Sequence, residues 1–225
     1  MVRGELPLSL VSHQTVIDYF RDGGIKYYNN TIQEGIEALP WNNEEQRVAF
    51  ALLYVTGARA TELLTLTRKD VELDGDVIRV YLTTRKNPRH PSREILVLKK
   101  VDPFYFDIIE DYVGRIRPYD APLFPGEGNK FKTSRWLEQL VKRKWYYILS
   151  DPLKKPYLAR PHLFRHTRLT HLVKFFGFRE FELMQFAGWS STKPAMVYVH
   201  LFGQDLAEKM LRQADKLGAM RTENV

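Results

Sequence analysis

Apolar residues recur at helical spacing through most of this chain and at strand spacing in one interval. Near the start, two short helical patterns cover about Thr15–Arg21 and Thr31–Leu39, closed by Gly23-Gly24 and by Pro40. Asn43-Glu44-Glu45-Gln46 reads as a helix start, an N-cap residue followed by one able to complete a capping box. Val48, Leu52, Leu53 and Val55 then carry the apolar stripe until Gly57 stops it. A second helix is predicted over about Ala60–Leu66. Arg59 sits at the junction, where two rigid elements can aim one side chain.

The period then changes. Val77–Thr83 and Arg93–Leu98 are β-rich runs separated by the polar, proline-containing Thr84–Ser92, and they read as an antiparallel hairpin. Lys86 lies at its tip, with Arg85, Arg89 and Arg93 nearby. Beyond it the pattern is helical. Asp102-Pro103 opens one helix, Thr133 or Ser134 caps another, and Pro161 precedes a third that carries His162 and Arg165. Shorter helices follow around Glu180–Ala187 and Pro194–Val199, then Gln204–Leu217. The expected fold class is α+β, mainly α-helical with one small antiparallel β-sheet. The expected division is a short N-terminal helical segment (1–41), a main domain (42–203), and a C-terminal helix and tail (204–225).

Composition narrows the partners. With 225 residues, 44% of them hydrophobic, the chain can bury a sizeable core. Thirty-four Lys and Arg against 27 Asp and Glu give a net charge of +7, which suits a polyanion. The absence of cysteine excludes disulfides, thiolate metal sites and a Cys nucleophile. Met1–Leu6 lacks an apolar leader and no run approaches ~18 apolar residues, so a soluble, cytoplasmic protein without membrane contact is expected.

Three local contexts carry the chemistry. Arg59 lies in Thr56-Gly57-Ala58-Arg59-Ala60-Thr61-Glu62-Leu63, otherwise apolar or small, with Glu62 one helical turn on to orient it. His162-Leu163-Phe164-Arg165-His166 puts His162 and Arg165 on one helix face. Gly188-Trp189 precedes Tyr198 by nine residues from the Trp. Taken singly, an Arg is most often a surface residue and a Trp a core residue. Two arginines and a histidine can converge on one cluster of anionic oxygens, which planar guanidinium forks match bidentately. His162 and His166 also have the i,i+4 spacing of metal ligands. The Glu of a zinc-protease helix is missing and no third ligand is spaced nearby, so no metal is expected. His171 and His200 read as structural or solvent-facing.

As a set, Arg59, Lys86, His162, Arg165, Trp189 and Tyr198 resemble the active site of the tyrosine recombinases, the integrase family that cuts and rejoins DNA through a phosphotyrosine. The resemblance covers about residues 30 to 205, and the phrase Tyr198–Leu206 is similar to archaeal integrases of the family. It implies the tyrosine recombinase catalytic fold and a site-specific DNA recombinase with Tyr198 as nucleophile. A free phenol has a pKa of about 10 and is roughly 0.1% phenolate at pH 7, so it needs activation by the surrounding cations. One phosphodiester is exchanged for another through a 3′-phosphotyrosyl intermediate, without metal or nucleotide cofactor. Lys86 would protonate the leaving 5′ oxygen, and Arg85, Arg89 and Arg93 would contact phosphates. Trp189 stands where the family more often has His; its indole can pack beneath the site and donate its N–H to the phosphate. The implied partners are double-stranded DNA and further copies of the chain, a tetramer on synapsed DNA linked by C-terminal helices. Most family members carry an N-terminal DNA-binding domain of ~100 residues, which residues 1–41 cannot supply. The chain is therefore expected to be either the catalytic part of a longer protein or a minimal recombinase. Two alternatives stay open: relaxation of DNA as by a type IB topoisomerase, and a basic module that binds DNA without cleaving it.

Overall fold

The computed structural model describes residues 44–83, 92–148 and 160–202. Their elements run in the order α1 (Glu44–Thr56), α2 (Ala60–Leu64), β1 (Val71–Asp74), β2 (Val77–Thr83), β3 (Ser92–Leu98), α3 (Pro103–Arg115), α4 (Ser134–Ile148), α5 (Pro161–Phe176), α6 (Glu180–Ala187) and α7 (Lys193–Phe202). The expected class holds: mostly helix, with one three-stranded antiparallel sheet of order β1-β2-β3. Val77 pairs with Leu98 and Thr83 with Ser92, so the sequence-predicted hairpin is in register along its whole length. Ile78, Val80 and Leu82 alternate with partly exposed neighbours, and this single buried face lies on the helices.

α1 is apolar nearly all round because it is enclosed by α3 and α5; Val48 through Leu53 are at most 1% exposed. Phe50 meets Phe164 of α5 edge-to-face at 5.2 Å, and truncating either to Ala would cost about 3–5 kcal/mol. A second, smaller core joins Leu169, Leu172 and Val173 of α5 to Leu183 and Ala187 of α6 and to Ala195 and Tyr198 of α7. α5 belongs to both cores. It is buried from Leu163 to Val173, although that stretch includes Arg165, His166, Thr167, Arg168, Thr170 and His171. Polar groups buried on all sides must find partners inside the protein, and those partners build the site.

Three elements differ from expectation. β1 was not anticipated: it is only four residues long, of which Val71 alone is fully buried, and a tight turn at Gly75-Asp76 joins it to β2. α2 ends at Leu64 rather than Leu66, because Leu66 leaves the helix to accept a backbone hydrogen bond from Leu123 at 2.9 Å. α7 runs from Lys193 to Phe202, longer than Pro194–Val199. The two N-terminal helical patterns and the Gln204–Leu217 helix lie outside the described residues. Among the described residues no helix is long and apolar enough to cross a membrane.

Candidate active site

Arg59 is the residue before the first turn of α2, and Glu62 fixes it twice. The Arg59 backbone N–H donates to Glu62 Oε2 at 2.9 Å, and its guanidinium Nη1 donates to Oε1 at 2.6 Å. The same carboxylate, 4% exposed, takes a second arginine. Arg93 of β3 donates to it from Nη1 at 3.2 Å and from Nη2 at 2.8 Å, while its Nε donates to the Phe186 carbonyl at 2.9 Å. Burial alone would raise the Glu62 carboxyl. The hydrogen bonds and charge of Arg93, joined by those of Arg59, outweigh it and bring the pKa down to about 2. Glu62 is thus a fixed anion that ties α2 to β3 and to the end of α6.

Arg165, 2% exposed, reaches two helix ends at once. It donates to the carbonyl of Gly57, just past α1, at 2.8 Å and to that of Ala187, the last residue of α6. Carbonyls at helix C-termini lack intrahelical partners and sit at the negative pole of the helix dipole, so a guanidinium is a fitting cap for both. Burial, then the like charges of Arg59 and Arg93, lower its pKa to about 9, which leaves it cationic at neutral pH. Among the described residues the groups that act on it are the cations Arg59 and Arg93, the carboxylate of Glu62 and the phenol of Tyr198, so three guanidiniums share one carboxylate there.

Two glycines permit these approaches. Gly188 has φ +65°, and a β-carbon there would stand 2.9 Å from Arg93 Nη1. Gly57 has φ +56°, and a β-carbon would press Phe186 at 3.2 Å.

Tyr198, on α7, is 1% exposed. Trp189 stacks on its ring at 6.0 Å and 25°, and the Arg165 guanidinium lies 5.5 Å over the indole. The phenol hydroxyl and Nδ1 of His166 are hydrogen-bonded. Burial raises the phenol above its ordinary value near 10, against the pull of Arg165. His162, exposed at the start of α5, packs its ring edge-on against His166 at 4.6 Å.

The structure therefore brings Arg59, Glu62, Arg165, Trp189 and Tyr198 together, with His162 reached through His166. Arg85, Lys86 and Arg89 lie outside the described residues. Arg93, expected among residues turned toward DNA, is instead turned inward: its side chain is 7% exposed and committed to Glu62 and to α6. Among the described residues no group of three or more His, Cys, Asp or Glu could hold a metal ion.

The model of the phage integrase family matches residues 29–204. The chain belongs to the phage integrase family. Curated relatives of this integrase-family chain include the tyrosine recombinase XerC of Bradyrhizobium diazoefficiens, 27% identical over 77% of this chain and 51% of its own length. Another is the tyrosine recombinase XerA of Saccharolobus solfataricus, 27% identical over 75% of this chain and 50% of its own. The chain spans about half the length of the curated relatives it matches. Among solved structures, the XerH site-specific recombinase in a pre-cleavage complex with difH substrate superposes with a TM-score of 0.59, at 15% identity, over 79% of this chain and 50% of that one. The XerA recombinase gives 0.58 at 18% identity over 82% and 62%. At these identities the structures share the integrase-family fold.

Sequence reasoning treated His166 only as half of a metal pair and Arg93 only as a DNA contact. Nothing local marks either role. The partner of His166 is 32 positions away on α7, and that of Arg93 is 31 positions back on α2.

Proposed function

We propose that this integrase-family chain carries the catalytic core of a site-specific DNA recombinase that cuts and rejoins strands through a 3′-phosphotyrosyl intermediate. The observation that carries the reading is the cluster of cations beside a buried tyrosine: among the described residues, Arg59, Arg93 and Arg165 lie around the carboxylate of Glu62, with Tyr198 packed against Trp189. A scissile phosphate is the anion such a site is suited to, and preorganised guanidiniums stabilise the charge that builds on its nonbridging oxygens. Arg59 and Arg165 bind those oxygens, His162 donates to one of them, and Trp189 holds the phenol ring. Arg93 acts through Glu62 to position Arg59. Tyr198 Oη attacks phosphorus, the 5′ oxygen leaves with a proton from Lys86, and Arg85 and Arg89 hold flanking phosphates. No metal or nucleotide is needed, since one phosphodiester is exchanged for another. The relatives, tyrosine recombinases, support the same reaction class. Assembly into a tetramer on synapsed double-stranded DNA belongs to the proposal.

The test is incubation of the full chain with nicked suicide duplexes drawn from DNA flanking its own coding sequence. A covalent protein–DNA adduct is expected, mapped to Tyr198. An adduct through another tyrosine would overturn the assignment. Native gels of the same mixtures should contain a four-subunit complex; a duplex bound by single copies that cleave and never pair would point to relaxation rather than recombination.

A further inference from the structure

Tyrosine attack raises a question that the arginines, Lys86 and Trp189 do not answer: where the phenolic proton goes. A phenol with a pKa near 10 has little phenolate at neutral pH, and burial makes ionisation harder still. The arginines are protonated at neutral pH and cannot accept. Lys86 must be protonated to serve the leaving oxygen, and the indole of Trp189 is a donor only.

We propose that His166 is a catalytic residue of this site, the general base that accepts the Tyr198 proton through Nδ1. The pair is already hydrogen-bonded, and both side chains are fixed, His166 at 5% and Tyr198 at 1% exposure. His166 is set by the rigid middle of α5, next in sequence to Arg165, so the acceptor and the phosphate ligand share one helical turn. His162 takes the neighbouring place toward solvent, where it is exposed. The inference rests on Tyr198 being the nucleophile, as proposed above.

The step balances. Oη of Tyr198 bonds to phosphorus as the P–O5′ bond breaks. The phenolic proton passes to Nδ1 of His166, and O5′ takes the proton of Lys86. On resealing, the 5′ hydroxyl gives its proton to Lys86, and His166 returns its own to the departing tyrosine. Because the hydroxyl is buried, DNA must open a path to it, and the proposal requires the pair to be kept or re-formed when the phosphate arrives.

The experiment uses the full chain and a nicked duplex on which it forms its adduct. His166→Gln, which can still hydrogen-bond the phenol but cannot take its proton, should slow adduct formation by ~10²–10⁴-fold, the usual contribution of a general base. His166→Gly is the second variant: imidazole should restore part of its rate, and pyrazole, of similar size but far weaker as a base, should not. A further reaction separates chemistry from packing. In a Tyr198→Phe chain, a 5′ hydroxyl strand attacks a 3′-p-nitrophenyl phosphate strand, whose leaving group departs without a proton. Adding His166→Gln there should leave the rate unchanged. Equal slowing of both reactions, rescue by pyrazole as strong as by imidazole, or a His166→Gln chain that cleaves at the original rate or faster would each overturn the proposal. A chain that forms no adduct on any duplex, or forms it without Tyr198, overturns the underlying reading as well. An adduct at Tyr198 that is indifferent to His166 overturns this one alone.

Discussion

α5 carries two buried histidines, each hydrogen-bonded to a tyrosine of another helix, and they differ in the charge around them. Farther along the helix, Tyr54 of α1 bonds Nδ1 of His171 at 2.7 Å. Beside that pair Arg168 is matched by Asp102 through two hydrogen bonds of 2.9 and 2.6 Å, and its guanidinium lies 5.3 Å from the Tyr54 ring. Nearer the helix start, His166 bonds Tyr198, and the adjacent guanidinium, Arg165, is held by backbone carbonyls. Beside the first pair the cation is cancelled by its own carboxylate. In the second, dipoles hold the cation in place without cancelling it, so the charge stays available to an incoming anion. A tyrosine and a histidine in contact mean little by themselves; the charge balance beside them separates a core cross-link from the proposed reactive centre.

The sharpest break between the pairs is removal of each hydroxyl. Tyr198→Phe should abolish the covalent adduct with DNA while leaving DNA retention in gel-shift assays intact, because the guanidiniums remain. Tyr54→Phe should leave the adduct and instead lower stability by about 1–3 kcal/mol, the cost of a buried group losing its partner, read as a shifted urea midpoint. A Tyr54→Phe chain that lost the adduct while still folded would erase the distinction.

The arginines should divide the same way. Arg168→Ala strands the Asp102 carboxylate, 8% exposed, in the core; removing one partner of a buried ion pair costs about 3–5 kcal/mol, enough to unfold many domains. Arg165→Ala strands two helix-end carbonyls, a smaller structural loss, but should reduce cleavage by at least ~10²-fold through the missing transition-state donor. Thermal melts and adduct rates measured on both variants should therefore rank them in opposite orders.

Part of this was legible in the sequence. Hairpin, caps and helix starts follow from local periods and from Pro, Asp and Gly, which act over a few residues. The contexts of Arg59, Arg165 and Trp189-Tyr198 resembled a known site closely enough to be assembled on paper. The pairing of His166 with Tyr198, of Arg93 with Glu62 and of Arg168 with Asp102 was not legible, since each joins elements brought together only by the packing of α5 and the sheet. Arg93 is instructive. Beside the arginines of the hairpin tip it reads as one more DNA contact, yet it lies on the face of β3 turned toward Glu62.

Acid should separate the pairs next. Burial first, then the charges of Arg168 and Lys174, lower the His171 pKa from 6.5 to about 3, so it stays neutral when folded. Below pH 6.5 the unfolded chain takes up a proton that the folded chain refuses, and stability falls with falling pH until about 3. Between pH 6.5 and 4.5 this amounts to about 2–3 kcal/mol at 1.36 kcal/mol per unit. Glu62 acts lower down: its carboxyl sits at about 2 when folded against 4.5 ordinarily, so its contribution is present above 4.5 and is lost as pH falls toward 2. Urea midpoints of the original chain should decline across both windows, and His171→Gln should flatten the upper one only. A His171→Gln chain with an unchanged slope above pH 4.5 would place the titrating group elsewhere.

The smallest expected effect tests how closely the reactive pair depends on backbone shape. Gly188 ends α6 at φ +65°, and its backbone N–H donates to the Gln185 carbonyl at 3.2 Å. Gly188→Ala asks an L-residue to adopt a left-handed conformation, at about 1–2 kcal/mol. The new methyl also meets Arg93 Nη1 at 2.9 Å and Cδ at 3.1 Å. Arg93 is the tip of a long side chain and can yield, but only by loosening its hold on Glu62, which fixes Arg59. The folded chain should therefore survive with a melting temperature lowered by a few degrees, and cleavage should drop more than that loss of stability accounts for. Gly75→Ala is the control. That glycine has a similar φ of +58° but nothing within 4 Å of an added β-carbon, so it should share the stability loss and spare the cleavage rate. Equal cleavage by the two variants would mean that Arg93 can be displaced without disturbing Arg59, and that Glu62 alone sets the position of the Arg59 guanidinium.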